Sequence, residues 1–363
     1  MNICIIGDSI TSLTLAKNLV SKQINIFLYY KKQKVFQSKN RTIGISRNNL
    51  EFIDKKIIKI NKKIIWNIDQ IEIYTEKLLN EKILNFQKDK NERFSIIENN
   101  IFYSLLNNSL KKNKFFKKCL IRNKNTYKEI LKNKNYDLII NCESNNEICK
   151  KYFNKRINKN YNSCAYTTIL NHSNIANKKA VQIFTKYGPL AFLPLSNNKT
   201  SVVFSLINKL NNFSEIEIKN LIYKYNKIYK IKNFNKIEKF PLSYSLPRKY
   251  FYKNIMLFGD SLHKIHPLAG QGFNMTLRDI KIFSSIIDEK IDLGLQLDSS
   301  ICKKFERENK HFNYIFSSSI DFIYEFFNLN SKINNTYLDQ ILKYIGKNKF
   351  FNKIISSYAN KGF

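Results

Sequence analysis

The sequence predicts an α/β protein: a doubly wound nucleotide-binding sheet, an interleaved second domain of α+β type built on its own sheet, and a helical C-terminal tail. Three observations predict it. The chain opens on an apolar run, Ile3-Cys4-Ile5-Ile6, that stops at Gly7. From Thr11 to Val20 the apolar residues Leu13, Leu15, Ala16, Leu19 and Val20 fall at helical spacing, and Ile24-Asn25-Ile26-Phe27-Leu28 reads as a second strand. Such a β-turn-α-β opening begins doubly wound sheets. Further along, Asp137 to Ile140 and Ile255 to Phe258 read as buried strands, the latter running into Gly259-Asp260.

The other elements follow in order. Gln70 to Tyr74 alternates and reads as a strand outside the opening unit. Val181 to Thr185, Leu190 to Leu195 and Ser201 to Leu206 read as adjacent strands, with Asn197-Asn198 as the turn joining the last two. Ser214-x-x-Glu217 is a capping box that opens a helix toward Tyr225. Phe273 onward is helical, as is most of the chain after Asp321. No internal repeat or separating linker interrupts the chain, and the strands interleave, so each domain is expected to be discontinuous. Residues 1–66, 98–160 and 250–325 are assigned to the nucleotide-binding domain, 67–97 and 161–249 to the second sheet domain, and 326–363 to the tail.

Composition narrows the class. With 363 residues, 43% hydrophobic and 14% aromatic, the chain can bury a real core, which excludes intrinsic disorder despite a net charge of +34. Nothing resembles a secretory leader or an 18-residue apolar span, and a cytoplasmic protein is expected. The six Cys (4, 119, 142, 149, 164, 302) show no C-x-x-C spacing and read as reduced thiols. Of the 62 basic residues, 54 are Lys and only 8 Arg, scattered among Asn and Ile. Nucleic-acid readers favour Arg and cluster it on one face, so this pattern speaks for A/T-biased coding and no nucleic-acid partner. The same charge favours an anionic cofactor or an anionic membrane surface.

One segment carries chemistry: Gly259-Asp260-Ser261-Leu262-His263-Lys264-Ile265-His266-Pro267-Leu268-Ala269-Gly270-Gln271-Gly272-Phe273-Asn274. It follows a strand and enters a helix. Gly270 and Gly272 let backbone approach a ligand, and the helix start aims N–H groups and a positive dipole end at it. Such a site suits an electron-rich, delocalised anion. Asp260, at the end of a parallel strand, is placed to accept hydrogen bonds from sugar-alcohol hydroxyls.

This string resembles the second flavin motif of the class A flavoprotein monooxygenases, and most closely that of the ubiquinone-biosynthesis hydroxylases. Other segments match the family in its own order. Arg41-Thr42-Ile43-Gly44-Ile45-Ser46 is similar to its Arg-Thr-x-x-x-Ser segment, Tyr187 to Leu195 to its sheet-domain signature, and Phe240-Pro241-Leu242 precedes the Gly-Asp strand as in relatives. The resemblance implies an FAD-binding domain joined to a substrate-binding sheet domain. The implied reaction is NAD(P)H- and dioxygen-dependent hydroxylation of an aromatic ring carrying a polyprenyl tail, in ubiquinone biosynthesis. It also implies roles: Asp260 on the ribityl chain, amides around Gly270, Gln271 and Gly272 on the reduced ring, Pro267 and Leu268 as a wall, and Arg41 near the flavin or pyrophosphate. Gly259 and Asn274 complete the motif. Such chemistry rests on positioning and a dry pocket, so no catalytic residue is named. A non-catalytic scaffold in a biosynthetic assembly is the alternative.

The first half of the dinucleotide site departs from its pattern. Where the fingerprint has Gly-x-Gly-x-x-Gly, this chain has Gly7-Asp8-Ser9-Ile10-Thr11-Ser12. Ser9 puts a side chain where backbone approaches the pyrophosphate, Ser12 thickens the helix–strand contact, and Asp8 adds a negative charge. Tyr30 stands where an acid would grip the ribose, and Glu143-Ser144 replaces the family's later Asp-Gly pair. FAD is therefore expected to bind more weakly than in relatives. His263 and His266 lack a third ligand at suitable spacing, so no metal site is expected and both are read as structural hydrogen-bonding residues, with polarisation of the flavin edge as the alternative role for His266. His172 and His311 are read as surface or helix residues, and Trp66 as core. In the tail, Leu338, Ile341, Leu342 and Ile345, flanked by Lys343 and Lys347, read as a packed helix or as a basic amphipathic element on the inner face of a membrane, where other ubiquinone-biosynthesis proteins would be partners.

Overall fold

The computed structural model describes residues 1–32, 40–76, 84–87, 94–207 and 213–332. Its first sheet has six strands in the order Phe251–Tyr252, Ile255–Leu257, Leu138–Asn141, Asn2–Ile6, Asn25–Lys31 and Phe116–Ile121. All neighbours are parallel except the short hairpin of the first two. Apolar side chains point both ways from Asn2–Ile6, and four of its five residues are buried. That is what a parallel strand covered on both faces requires. Helix Ile10–Val20 makes the first crossover, with ten of its eleven residues buried.

The second sheet is mostly antiparallel. Its path runs Ile231–Phe234, Arg156–His172, Lys199–Ile207, Gly188–Ser196, Lys179–Thr185, Gln70–Thr75 and Leu84–Gln87, with Glu238–Pro247 also paired to Arg156–His172. Gly188 is obligatory here: its φ is +129°, and a Cβ would lie 2.0 Å from the Ser205 carbonyl oxygen. Ser214 caps helix Glu215–Tyr225 as its sequence requires, accepting from Glu217 N while the Glu217 carboxylate accepts from Ser214 N at 2.8 Å. A small third sheet, Thr42–Ser46, Phe94–Glu98 and Trp66–Ile68, lies between these segments in the chain.

Two long helices end the described chain, Gln271–Asp292 and Ser299–Lys332. Between the last helix, the motif loop and the second sheet lies an aromatic cluster: Tyr161, Phe184, Tyr244, Leu268, Phe316, Tyr324 and Phe327 are all buried. Two single-residue expectations are corrected. Trp66 is half-buried rather than core, donating from Nε1 to the Asn177 carbonyl at 2.6 Å beneath the Lys178 ammonium. His172 is buried in a strand rather than at the surface, because Thr200 and the Ser173 carbonyl satisfy its ring nitrogens at 2.9 Å each. His311 is exposed on the last helix. The apolar tail positions from Leu338 onward lie outside the described residues.

Candidate functional site

The motif segment begins with a tight turn after Ile255–Leu257. Gly259 has φ +59°, and a Cβ there would lie 2.4 Å from Thr11 Cγ2. The loop after the last parallel strand therefore seats directly on the start of the first helix, and the two halves of the site abut. Asp260 follows with its side chain exposed. Ser261 is buried, its hydroxyl donating to the Asn141 carbonyl, while Arg156 Nη2 donates to the Ser261 carbonyl at 2.8 Å. These bonds fix the loop to both sheets.

Pro267 leads into a single 3-10 turn, Leu268–Gly270, and Gly270 in the left-handed region (φ +64°) starts the 22-residue helix Gln271–Asp292. A Cβ on Gly270 would sit 3.4 Å from Gly44 N, so the loop packs on the strand Thr42–Ser46. Gly272 is different: the space in front of its Cα is open, with nothing within 4 Å. Beside it the Gln271 side chain is 7% exposed, and its Oε1 has no hydrogen-bond partner. An open glycine and an orphaned buried acceptor thus stand together at a helix start, where a ligand can approach the backbone.

Asn274 spends its amide on the protein. It is fully buried; Nδ2 donates to the Gly44 carbonyl at 3.0 Å, and Oδ1 accepts from Ser46 N at 3.1 Å and Asn49 Nδ2 at 2.9 Å. Asn274 thus locks the motif helix to the strand that backs Gly270. The pairing of Gly44 and Asn49 with Asn274 was not legible in the sequence because nothing local ties them to a residue about 230 positions later.

The two motif histidines divide. His263 is buried and its Nε2 lies 2.7 Å from Asp279 Oδ2, a structural bond of the expected kind. His266 departs from expectation: it is 1% exposed, yet neither ring nitrogen has a partner. It stacks on Tyr324 with ring centres 4.2 Å apart and meets Tyr161 edge-on at 5.3 Å. Burial alone pushes its pKa down to about 3, so the ring is neutral across ordinary pH. Among the described residues, no group of three His, Cys, Asp or Glu side chains is placed to hold a metal ion.

At the other half, Gly7 has φ +117°, and its missing Cβ would meet Glu143 Cγ at 3.2 Å and Ser12 Oγ at 3.3 Å. Ser9 caps the first helix, its Oγ accepting from Ser12 N at 3.3 Å. That bond engages an N–H at the helix start, where a phosphate would otherwise find donors. Arg41 is exposed, its guanidinium 5.2 Å from the ring centre of Phe240, and Gly44 is the residue of its strand that meets the motif loop.

A family model, squalene epoxidase, matches residues 137–355. The chain is 38% identical over 90 residues to the ubiquinone biosynthesis monooxygenase COQ6 of Dictyostelium discoideum, covering 24% of this chain and 17% of that protein. It is 30% identical over 158 residues to the 3-demethoxyubiquinol 3-hydroxylase of Escherichia coli, covering 41% and 40%. These matches therefore span less than half the length of either curated relative. In fold, it superposes on p-nitrophenol 4-monooxygenase PnpA of Pseudomonas putida with a TM-score of 0.76 at 10% identity, covering 99% of this chain and 97% of that one. The chain belongs to the squalene epoxidase family, within the class A FAD-dependent monooxygenases, and is related to the ubiquinone hydroxylases.

Proposed function

We propose that this protein is an FAD-dependent monooxygenase that hydroxylates the aromatic ring of a polyprenyl-phenol intermediate in ubiquinone biosynthesis, using NAD(P)H and dioxygen. The observation that carries the reading is the cradle at Gly270–Gly272, where a left-handed glycine, an open glycine and an orphaned Gln271 Oε1 meet at the start of a long helix. These residues fit a flavin ring. When bound, FAD would supply the redox chemistry of an NAD(P)H- and dioxygen-dependent hydroxylation, in which one oxygen atom enters the substrate and the other leaves as water. The protein's part is to hold, orient and keep dry. The helix start would offer N–H donors to negative charge on the ring, Asp260 would accept from the ribityl hydroxyls, and Gly7 would open the loop for the pyrophosphate. Pro267 and Leu268 would wall one side of the ring, and Leu268 packs there with the buried Tyr161, Tyr244 and Tyr324, an apolar surrounding that keeps water out.

On this reading the division into a cofactor-binding domain and a substrate-binding sheet domain follows the two large sheets. The experiment is direct. Purified protein should carry a flavin spectrum, and it should oxidise NAD(P)H faster when a polyprenyl phenol is added, with one oxygen atom gained by the ring in mass spectrometry. A colourless protein that no added FAD reconstitutes supports the alternative, a non-catalytic scaffold, for which the altered residues Asp8, Ser9 and Tyr30 speak.

A polyprenyl substrate resides in the bilayer, so the same reading places the protein peripherally on a membrane. No helix among the described residues is long and apolar enough to cross one. A groove of about 1110 Å³ beside the two long helices supports surface contact. Leu293 and Leu295 stand exposed on its lip, and Arg248, Lys303 and Arg307 add positive charge around it. Flotation with anionic vesicles should fall when Leu293 and Leu295 are changed to Asp; unchanged flotation removes this part of the reading.

A further inference from the structure

The adenosine side of the site holds a cation that the dinucleotide fingerprint does not include. Lys118 lies in the edge strand Phe116–Ile121, opposite Leu28. Its side chain crosses the neighbouring strand to the loop after Asn2–Ile6, where Nζ donates to both carboxylate oxygens of Asp8 at 3.0 and 3.1 Å. The ammonium also stands 5.4 Å from the ring centre of Tyr30 and 5.9 Å from that of Tyr103. Tyr30 is the residue found where the fingerprint has its ribose-binding acid. Glu143, a second acid at this end of the sheet, is matched in the same way by Lys31 at 3.0 Å.

We propose that Lys118 is a dinucleotide-binding residue, supplying its ammonium to the pyrophosphate of FAD in place of the missing glycine-loop contacts. The proposal rests on the FAD reading above. Asp8 directly follows Gly7 at the carboxyl end of a parallel strand, the side on which open α/β sheets bind ligands. A bare carboxylate there would repel two phosphates. Lys118 cancels it from a fixed post: the side chain is 22% exposed and lies against two aromatic rings. A lysine ammonium has three donors, and Asp8 takes two, leaving the third for a phosphate oxygen. Tyr30 then serves to position the cation, which accounts for an aromatic residue where an acid was expected.

The test titrates flavin-stripped, full-length protein with FAD and, separately, with riboflavin, which lacks both phosphates and the adenosine. Lys118→Met should weaken FAD binding by about tenfold or more and leave riboflavin binding within about twofold. Lys118→Arg, which keeps the charge, should retain FAD affinity. Asp8→Asn should tighten FAD binding, and adding Lys118→Met to it should still weaken the complex. The proposal is overturned if Lys118→Met shifts FAD by less than twofold, if it weakens riboflavin equally, or if Asp8→Asn with Lys118→Met binds like Asp8→Asn alone. Wild-type protein that binds neither flavin would overturn the FAD reading and this inference with it. FAD binding that is indifferent to Lys118 overturns this inference alone. Matched far-UV circular dichroism and urea midpoints identify any variant that loses affinity by unfolding.

Discussion

Asn274→Ala should separate the architecture of the cofactor cradle from its chemistry. Asn274 is fully buried, and its side chain satisfies the Gly44 carbonyl, the Ser46 N–H and the Asn49 amide at 2.9 to 3.1 Å. Alanine leaves these three buried polar groups without that partner. Each orphaned group costs about 1–3 kcal/mol, and a water admitted to the vacated space recovers part of it. A net loss of about 3 kcal/mol is therefore expected, read as a lower urea midpoint at unchanged slope. Asn274→Asp sharpens the test. A carboxylate can still accept from Ser46 and Asn49, but its second oxygen would face the Gly44 carbonyl, lone pair against lone pair. Burial and this acceptor raise the new acid's folded-state pKa, so the variant should regain stability as pH falls through that raised value, when the protonated oxygen donates to Gly44. Urea unfolding of wild type and both variants at pH 5 and pH 8 measures the effect. A loss below about 1 kcal/mol for Asn274→Ala, or no pH dependence specific to Asn274→Asp, would refute the lock.

Gly188→Ala should destabilise the protein by at least about 2 kcal/mol in thermal or urea unfolding, since it meets a carbonyl at 2.0 Å in a left-handed conformation. Gly272→Ala meets nothing within 4 Å, so stability should rise by up to about 1 kcal/mol while FAD affinity falls on titration. His266→Phe should remove an acid sensitivity. The buried ring has its pKa lowered from 6.5 to about 3, so it is neutral when folded and charged when unfolded in that window. Wild type should lose about 1.4 kcal/mol per pH unit as pH drops from 6.5 toward 3, and the variant correspondingly less, in urea midpoints measured across that range. Ser9→Gly should free the Ser12 N–H at a cap cost of only a few tenths of a kcal/mol, and flavin retained through dialysis should rise severalfold.

What the sequence disclosed follows the range of the interactions. Strands and helices were readable because period and caps are local: Ser214 and Glu217 are three residues apart, and the helix begins where they place it. The motif from Gly259 to Asn274 was readable because its spacing is itself the signal. His266 could not be judged that way, since its missing partners depend on Tyr161 and Tyr324 arriving from other elements. Lys118 was invisible for the same reason. It is one of 54 lysines, and only the pairing of Phe116–Ile121 beside Asn25–Lys31 carries it to Asp8.

Glycine offers a way to tell structural demand from functional demand in this chain. It has nine glycines in 363 residues, so each one that remains invites a reason. Gly7, Gly188, Gly259, Gly270 and Gly294 have positive φ, a conformation other residues rarely adopt. Gly44 has ordinary φ but stands where a Cβ would fall 2.3 Å from the Phe94 ring. Gly272 has neither reason: its backbone is helical and its surroundings are open. Glycine within a helix costs roughly 1 kcal/mol relative to alanine, and here the protein itself returns nothing for it. The open space is then best explained by something outside the chain that must approach the backbone at that point. On the FAD reading proposed above, Gly272 is, among the described glycines, the one kept for a ligand, and it lies beside the unpartnered Gln271 Oε1.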